Sequence, residues 1–186
     1  MSALNKNDIV LGAGELYMYE FTGSTLPENE LIETDAHNVG HCSGGFSVEY
    51  KPTKYDVKNQ YGKTVKSFIT QEDITCKSGI LTWDLANLKL LSTAKFEETS
   101  ATTSTAGSKT LTFGGGGSLK TVLIRFVHTK EDGNKIRFTM IGQSGNGFVI
   151  EFAQTETTVD AEFTAIEYVN NFLAKFEEEI PQLATE

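Results

Sequence analysis

Three side chains in the first quarter of the chain have the types and spacing of metal ligands. His37 and His41 stand four residues apart, and Cys42 follows directly. On a helix, this spacing would place the imidazole and thiol groups on one face, as a tetrahedral zinc site requires. The glycine and serine residues around them favour a loop or strand, and the sequence holds no second cluster to complete four ligands. We interpret them as polar surface residues and expect no metal and no cofactor.

Two carboxylates in the last third, Glu151 and Glu162, have the pattern of a catalytic acid and base. Both lie on the polar side of neighbouring predicted strands, where a glycosidase would hold its pair of carboxyl groups. The same pattern is typical of any sheet face in contact with water. No serine stands in a nucleophile motif that His128 would activate. We therefore predict a protein that is not an enzyme.

The polar residues of the last third share one face of a predicted sheet. They are Arg125, Arg137, Thr139, Glu151, Asp160, Glu162 and Thr164. Their alternation with apolar residues predicts one wet face, whose later strands are acidic. This face borders either bulk solvent or a water-filled space inside an assembly.

A β-meander over residues 120–165 would position that face. Period-two alternation predicts its strands, and the turns fall at residues 132–133 and 144–147. The predicted core is Val122, Ile124, Phe126, Ile136, Phe138, Met140, Phe148, Ile150 and Phe152. Residues 168–180 fit either an amphipathic helix or a hairpin turning at Asn170 and Asn171, and we favour the hairpin. The acids at 177–179 would suit an exposed edge strand.

The longest predicted element is a hairpin over residues 46–76. Its first arm alternates apolar and polar residues up to Pro52, then turns polar, reverses at residues 59–62 and returns through β-branched and aromatic residues. Two glycines, Gly44 and Gly45, predict a bulge or a close backbone approach at its base. Arms of this length exceed what one domain covers, and an isolated ribbon is marginal in water. The hairpin is either a mobile loop or a ribbon that lies on a neighbouring copy of the protein. The second alternative is our working hypothesis.

The remaining segments are shorter. Residues 15–21 predict a first strand, and residues 22–38 an ordered but irregular loop. Asp84 predicts the cap of one helix, over about residues 84–95. The Thr, Ser and Gly content of residues 97–118 predicts a flexible connection.

Length and charge narrow the classes of function. The 186 residues suit one mainly β domain, a β-sandwich or barrel with a short flanking helix. The net charge of −9 argues against nucleic-acid binding, because phosphate binding needs clustered cations. Residues 1–6 lack the apolar region of a secretion signal, so we expect synthesis and retention in a cytoplasm. Cys42 and Cys76 then stay reduced, although a disulfide is the alternative.

Five segments of the sequence resemble one protein family. In chain order they are LGAGELY at 11–17, SVEYKPT at 47–53, KSGILTW at 77–83, IRFVHT at 124–129 and VDAEF at 159–163. In this combination the chain resembles the major tail tube proteins of long-tailed bacteriophages and of related phage-tail-like particles. It departs from them in the Thr- and Ser-rich insert before Gly114 and in its last twenty or so residues.

The resemblance implies a structural virion protein made in the host cytoplasm. Such proteins assemble as hexameric rings that stack into a hollow tube, through which the genome leaves the capsid. It also implies tape measure, tail tip and tail terminator proteins as partners, DNA only in passage, and no membrane. An acidic lumen suits this role, because a polyanion slides past acids without binding.

Two sets of residues follow as candidate sites. Lumen-facing acids would be Glu151 and Glu162. Ring stacking would use the hairpin tip: Lys54, Tyr55, Asp56, Val57, Lys58, Asn59, Gln60, Tyr61, Gly62, Lys63 and Thr64. The alternative is a secreted or surface β-sandwich that binds a carbohydrate or a protein through Tyr55 and Tyr61.

Overall fold

The computed structural model describes residues 12–150, 152, 154 and 156–180. Its strands are β1 (Glu15–Glu20), β2 (Cys42–Lys58), β3 (Thr64–Ile80), β4 (Lys95–Thr99), β5 (Ser108–Thr112), β6 (Val122–Thr129), β7 (Lys135–Gln143), β8 (Val159–Ala165) and β9 (Ala174–Glu178). The helices in this part of the chain are α1 (Asn29–Ile32) and α2 (Leu85–Leu90). The predicted mainly β fold with a long hairpin is confirmed, with two short helices instead of one. Neither described helix is long and apolar enough to cross a membrane.

Within the described residues, seven strands form one antiparallel sheet. Their order is β1, β6, β7, β8, β3 and β2, and β9 pairs with β7. β7 pairs along its length with β6, while its other edge is shared between β9, at residues 136–140, and β8, at residues 142–143. β7 is therefore the strand on which the C-terminal strand and the long hairpin, through β8, both depend.

The larger apolar cluster lies on the predicted dry face of β6 and β7. Ile124, Phe138 and Met140 are buried in it, together with side chains of β3, β8 and α2. The base of β2 covers this face, since the ring of Phe46 stacks on that of Phe126 with centroids 4.6 Å apart. The sheet therefore folds back over itself, and the hairpin is anchored by its base.

A smaller apolar cluster covers the opposite face of the same two strands. Its buried members are Phe21, Ile32, Leu123 and Ile141. Ile32 belongs to α1, a single helical turn within the segment that the sequence predicts as an irregular loop. Both faces of β6 and β7 are thus covered, whereas the alternation pattern predicted that one would be wet.

The third strand predicted for the meander is wrong. Residues 144–150 form no strand, although Phe148 and Ile150 still pack against the larger cluster. The edge of β7 that such a strand would need is occupied by β8 and β9. Phe152, predicted as core, is exposed instead.

Helix α2 begins as predicted but ends early. The Asp84 carboxylate accepts a hydrogen bond from the backbone N–H of Ala86 at 3.0 Å, as an N-cap does. The helix stops at Leu90 rather than near residue 95. The Ser92 hydroxyl donates to the Leu88 carbonyl at 3.0 Å, and side chains that bond to the backbone in this way compete with helix hydrogen bonds.

The predicted flexible connection at residues 97–118 is also wrong in part. β4 and β5 form a two-stranded ribbon there, in which Phe96 pairs with Leu111. Leu111 packs against the larger cluster and fixes the ribbon to the body. The threonines that suggested flexibility are β-branched residues, and these favour strands when one face is covered.

The C-terminal stretch follows the predicted hairpin rather than the helix. Val169 and Phe172 form an isolated bridge around Asn170 and Asn171, and Asn171 has a positive φ of 57°. The chain then continues as β9. Its strand partner is β7, so β9 joins the main sheet.

Candidate interaction surface

The outer part of the β2–β3 hairpin, residues 51–73, projects from the body, and we call it the arm. β3 pairs with β8 only from Thr75 onward, so within the described residues the two strands of the arm have only each other as strand partners. At about 3.3 Å per residue, the arm is about 30 Å long. The predicted long hairpin with a solvated tip is present.

Local sequence explains how the arm is built. Gly44 and Gly45 adopt positive φ values of 74° and 76°, at a shift in the register between β2 and β3. This is the bulge predicted at the base. At the tip, the Asn59 side-chain oxygen accepts hydrogen bonds from the backbone N–H groups of Tyr61 and Lys63, each at 3.0 Å. A defined turn therefore closes the arm.

The arm exposes apolar side chains that a folded chain normally covers. They are Tyr55, Tyr61, Val65, Phe68 and Ile69. Tyr61, at the tip, is 78% exposed, and Tyr55, which lies opposite Phe68 on the same face of the ribbon, is 62% exposed. Clusters of exposed apolar residues on a soluble protein mark an interaction surface.

The arm also concentrates positive charge on an acidic protein. Residues 51–66 carry five lysines and one acid, although the whole chain has a net charge of −9. Lys54 pairs with Asp56 at 3.4 Å, and the Lys66 ammonium lies 4.6 Å from the centre of the Phe68 ring. Lys58 and Lys63 have no ion-pair partner among the described residues. The tip is therefore both apolar and cationic.

The predicted wet face is split by the structure. Asp160 and Thr164 of β8 are exposed, as expected, and Glu162 is partly exposed. The Glu162 carboxylate receives hydrogen bonds from Lys77 at 2.7 Å and from Asn146 at 2.6 Å. The hydrogen bond from Lys77 lowers the pKa of Glu162, so this acid stays ionised. The other predicted lumen acid, Glu151, lies outside the described residues.

A cleft of about 680 Å³ opens beside Glu162 on this face. Residues 43–45, at the hairpin bulge, form one wall, and residues 146–149 form the other. Asp160 and Glu162 line it, with Lys77 as its only lysine or arginine among the described residues. The later part of the face is therefore polar and mainly acidic.

The other three predicted wet-face residues, Arg125, Arg137 and Thr139, are buried instead. Arg125 is 1% exposed and Arg137 is 5% exposed. The reason is Glu33, which follows α1 and lies over β6 and β7. Its carboxylate is 2.8 Å from the nearest guanidinium nitrogen of Arg125 and 2.5 Å from that of Arg137.

Further groups complete this buried charge cluster. Lys135 donates to Glu33 at 3.0 Å, and Arg137 also pairs with Glu179 of the C-terminal segment at 2.6 Å. Burial raises the pKa of Glu33, but hydrogen bonds from Arg137 and Lys135 outweigh it and leave this pKa below its ordinary value. The acids at 177–179 were predicted to lie on an exposed edge strand. Glu179 instead pairs with Arg137 and holds the segment after β9 against β7.

No local sequence pattern indicates this cluster directly. Arg125 interrupts an apolar run, and an arginine among buried neighbours is a hint that an acid must accompany it. The partner is 92 residues away in an irregular segment, where no periodicity indicates it. Its role is structural, because every described acid in it contacts a cation of the same chain.

The histidine and cysteine residues are not assembled into a metal site in the described part of the chain. No three His, Cys, Asp or Glu side chains there stand close enough to hold an ion. The His37 ring stacks on Tyr19 with centroids 4.1 Å apart. Cys42 and Cys76 are free thiols, and burial raises the pKa of Cys76 to about 12, so it behaves as a small apolar residue.

Comparison with models of known protein families finds no match to this chain, and comparison with curated proteins finds no significant match either. Neither comparison bears on the resemblance to tail tube proteins, which stays a prediction.

Proposed function

We propose that the protein is the structural subunit of a phage-type tail tube, in which hexameric rings stack into a hollow conduit for the genome. The arm carries this proposal. It projects about 30 Å, and it exposes Tyr55, Tyr61 and Phe68 without covering them by its own body. A two-stranded ribbon with exposed apolar residues is stable when a neighbouring molecule covers it.

The geometry of the contact between subunits determines the shape of the assembly. A contact between two different surfaces of identical subunits gives a ring when the rotation closes. The two open sides of such a ring are then free to stack. In this arrangement the arm reaches across the boundary to the adjoining ring, and the number six comes from the resemblance alone.

The acidic face of β8 suits the wall of a DNA conduit. Asp160 and Thr164 are exposed, and Glu162 is kept ionised beside them. A strip of fixed negative charge repels the phosphate backbone and leaves it free to move. We therefore assign Glu162 to the lumen of the tube, and for Glu151 we keep the prediction made from the sequence.

Deleting residues 54–64 tests the role of the arm. The shortened protein should keep the circular dichroism spectrum of the wild type, because the tip has few contacts with the body. Negative-stain microscopy should show single subunits or rings in place of long tubes. Removing residues 101–106, which shortens the exposed loop between β4 and β5 to a two-residue turn at Ser100 and Gly107, is the control and should leave tubes intact. Normal tubes from the tip deletion would refute the stacking role.

Carboxylate labelling tests the lumen. A carbodiimide coupled to a nucleophile too bulky to enter the tube should modify Glu162 and Glu151 in unassembled protein and spare them in tubes. Acids on other surfaces, such as Glu131, serve as the comparison. Equal modification of all these acids in the tube would place Glu151 and Glu162 outside it.

The exposed Tyr55 and Tyr61 also favour a second candidate, a binding module for a carbohydrate or a protein. The two functions differ in oligomeric state. Sedimentation velocity over a range of protein concentrations should show rings or tubes for the tail subunit. A monomer at every concentration favours the binding module.

A further inference from the structure

A second group of exposed aromatic and aliphatic side chains lies on the body rather than on the arm. We call it the far-end patch; its exposed members are Trp83, Phe113, Leu119, Val149 and Phe152, and the half-buried Phe148 lies beside Phe113. The rings of Trp83 and Phe152 have centroids 5.7 Å apart, and those of Phe113 and Phe148 are 6.3 Å apart. Three segments distant in sequence, at residues 83, 113–119 and 148–152, thus bring apolar groups to a surface that the described residues leave open.

The sheet register and the side-chain contacts place this patch at the end of the body opposite the arm tip. β3 runs from the tip to Ile80, which pairs with Val159 at the start of β8, and Trp83 follows at that end. β7 ends beside Thr164 at the base of the arm, and residues 146–149 after it line the cleft together with Thr158 and Asp160. The ring contact between Trp83 and Phe152 brings Phe152 to the end farthest from the tip.

The two ends also differ in charge. Lys58 and Lys63 at the tip have no ion-pair partner among the described residues. Near the far-end patch, Glu156 and Asp160 are exposed and likewise have no such partner in the part of the chain that the structure describes. The sequence places no lysine or arginine between Phe138 and Ala174. Uncompensated positive charge thus marks one end and uncompensated negative charge the other.

We infer that the arm tip of one copy docks on the far-end patch of a second copy. Tyr61 and its apolar neighbours cover the patch, and Lys58 and Lys63 approach Glu156 and Asp160. A contact between opposite ends of identical subunits is heterologous, so it repeats along an axis. In a tube, the far-end patch is the surface that receives the arm tip of the adjoining ring, and this part of the inference rests on the proposed function. The pairing of the two surfaces is testable without tubes.

Photo-crosslinking identifies the surface that receives the tip. A benzophenone amino acid at position 61, in a mixture of ¹⁵N-labelled and unlabelled protein, should give crosslinks between copies to peptides that contain residues 83 or 148–152. The same probe at Leu31, an exposed apolar residue near the buried charge cluster, is the control and should give none to those peptides. Crosslinks from position 61 to other surfaces, or only within one copy, overturn the inference.

Charge exchange tests the electrostatic part. The double variant Lys58→Glu and Lys63→Glu should raise the protein concentration needed for association about tenfold or more, because like charges then face each other. Adding Glu156→Lys and Asp160→Lys should restore association. Failure of this rescue, with each variant folded by circular dichroism, overturns the pairing. If the lysine changes abolish binding to a duplex DNA probe but leave association unchanged, the lysines contact nucleic acid and the pairing of the two surfaces is overturned.

The two proposals fail separately. Crosslinked head-to-tail pairs that never form hollow tubes in microscopy support the inference and refute the proposed function. Tubes whose position-61 crosslinks avoid the far-end patch support the proposed function and refute the inference.

Discussion

The buried charge cluster and the arm depart from the usual distribution of residues in opposite directions. The cluster holds Glu33, Arg125 and Arg137 inside the body, although charged side chains are almost never buried unless paired. The arm holds Tyr61 and Phe68 in water, although rings of this size usually dominate cores and interfaces. The cluster has charged groups in the interior, where apolar groups are expected, and the arm has apolar rings on the surface, where polar groups are expected.

The difference shows which of the two regions needs a partner. The Glu33 carboxylate contacts three cations of its own chain, so its charge is compensated without another molecule. The exposed rings of the arm have no such cover within the described residues. Changes in the cluster should therefore alter folding, and changes in the arm should alter association.

The largest effect is expected from Glu33→Ala. Removing this carboxylate leaves the buried Arg125 guanidinium without its acid and Arg137 with only Glu177 and Glu179, which costs about 3–5 kcal/mol of folding free energy. Urea unfolding followed by circular dichroism measures the loss. Glu49→Ala, which breaks the exposed pair with Lys51, is the control and should change stability by about 0.5 kcal/mol or less. A loss below about 1 kcal/mol for Glu33→Ala would mean that the cluster contributes little.

Lowering the pH should reduce the unfolding free energy of the protein by protonating Glu33. The pKa of Glu33 is below its ordinary value of 4.5 in the folded protein, so the unfolded chain binds a proton at a higher pH than the folded chain. The stability that this group contributes is therefore complete above about pH 4.5 and is lost as the pH falls through the folded pKa. The unfolding free energies of wild type and Glu33→Ala should converge on acidification. Parallel curves from about pH 6 to pH 3 would contradict this assignment.

The arm was predictable from sequence because its signals are local. The bulge needs positive φ at Gly44 and Gly45, and the tip needs a turn at residues 59–62, and each is encoded by neighbouring residues. The strand alternation between them requires no knowledge of the rest of the chain. Its exposed apolar residues follow from the same pattern, because the apolar positions extend beyond the reach of the core.

The buried charge cluster was not predictable because its signals are not local. Arg125 and Thr139 lie directly opposite each other in the register of β6 and β7, and period-two alternation correctly places them on one face. Alternation cannot state what covers a face. That depends on Glu33 and on β9, which reach β7 from distant parts of the chain. The same long-range pairing occupied the edge needed by the predicted third strand.

The junction between body and arm should show an intermediate effect. In Gly45→Ala the new methyl group meets no atom within 4 Å, so only the positive φ of 76° opposes it. A non-glycine residue in this conformation costs about 1–2 kcal/mol. Gly115→Ala is a matched control, since its site is equally open and has no positive φ, and it should be neutral. Equal unfolding free energies for the two variants would show that the bulge relaxes without cost.

The smallest effect on stability, and the sharpest separation of the two regions, is expected from Phe68→Ser. The ring is 46% exposed and its contacts lie within the arm, where it faces Tyr55 and Lys66, so the unfolding free energy should change by about 0.5 kcal/mol or less. Association measured by sedimentation velocity should fall strongly, because an aromatic side chain central to an interface often contributes about 2 kcal/mol or more to binding. Leu31→Ser, an exposed apolar residue on α1, is the control and should change neither quantity. A loss of about 2 kcal/mol of stability for Phe68→Ser, with association intact, would mean that the arm lies against its own body, and the contrast between a self-sufficient cluster and an incomplete arm would be lost.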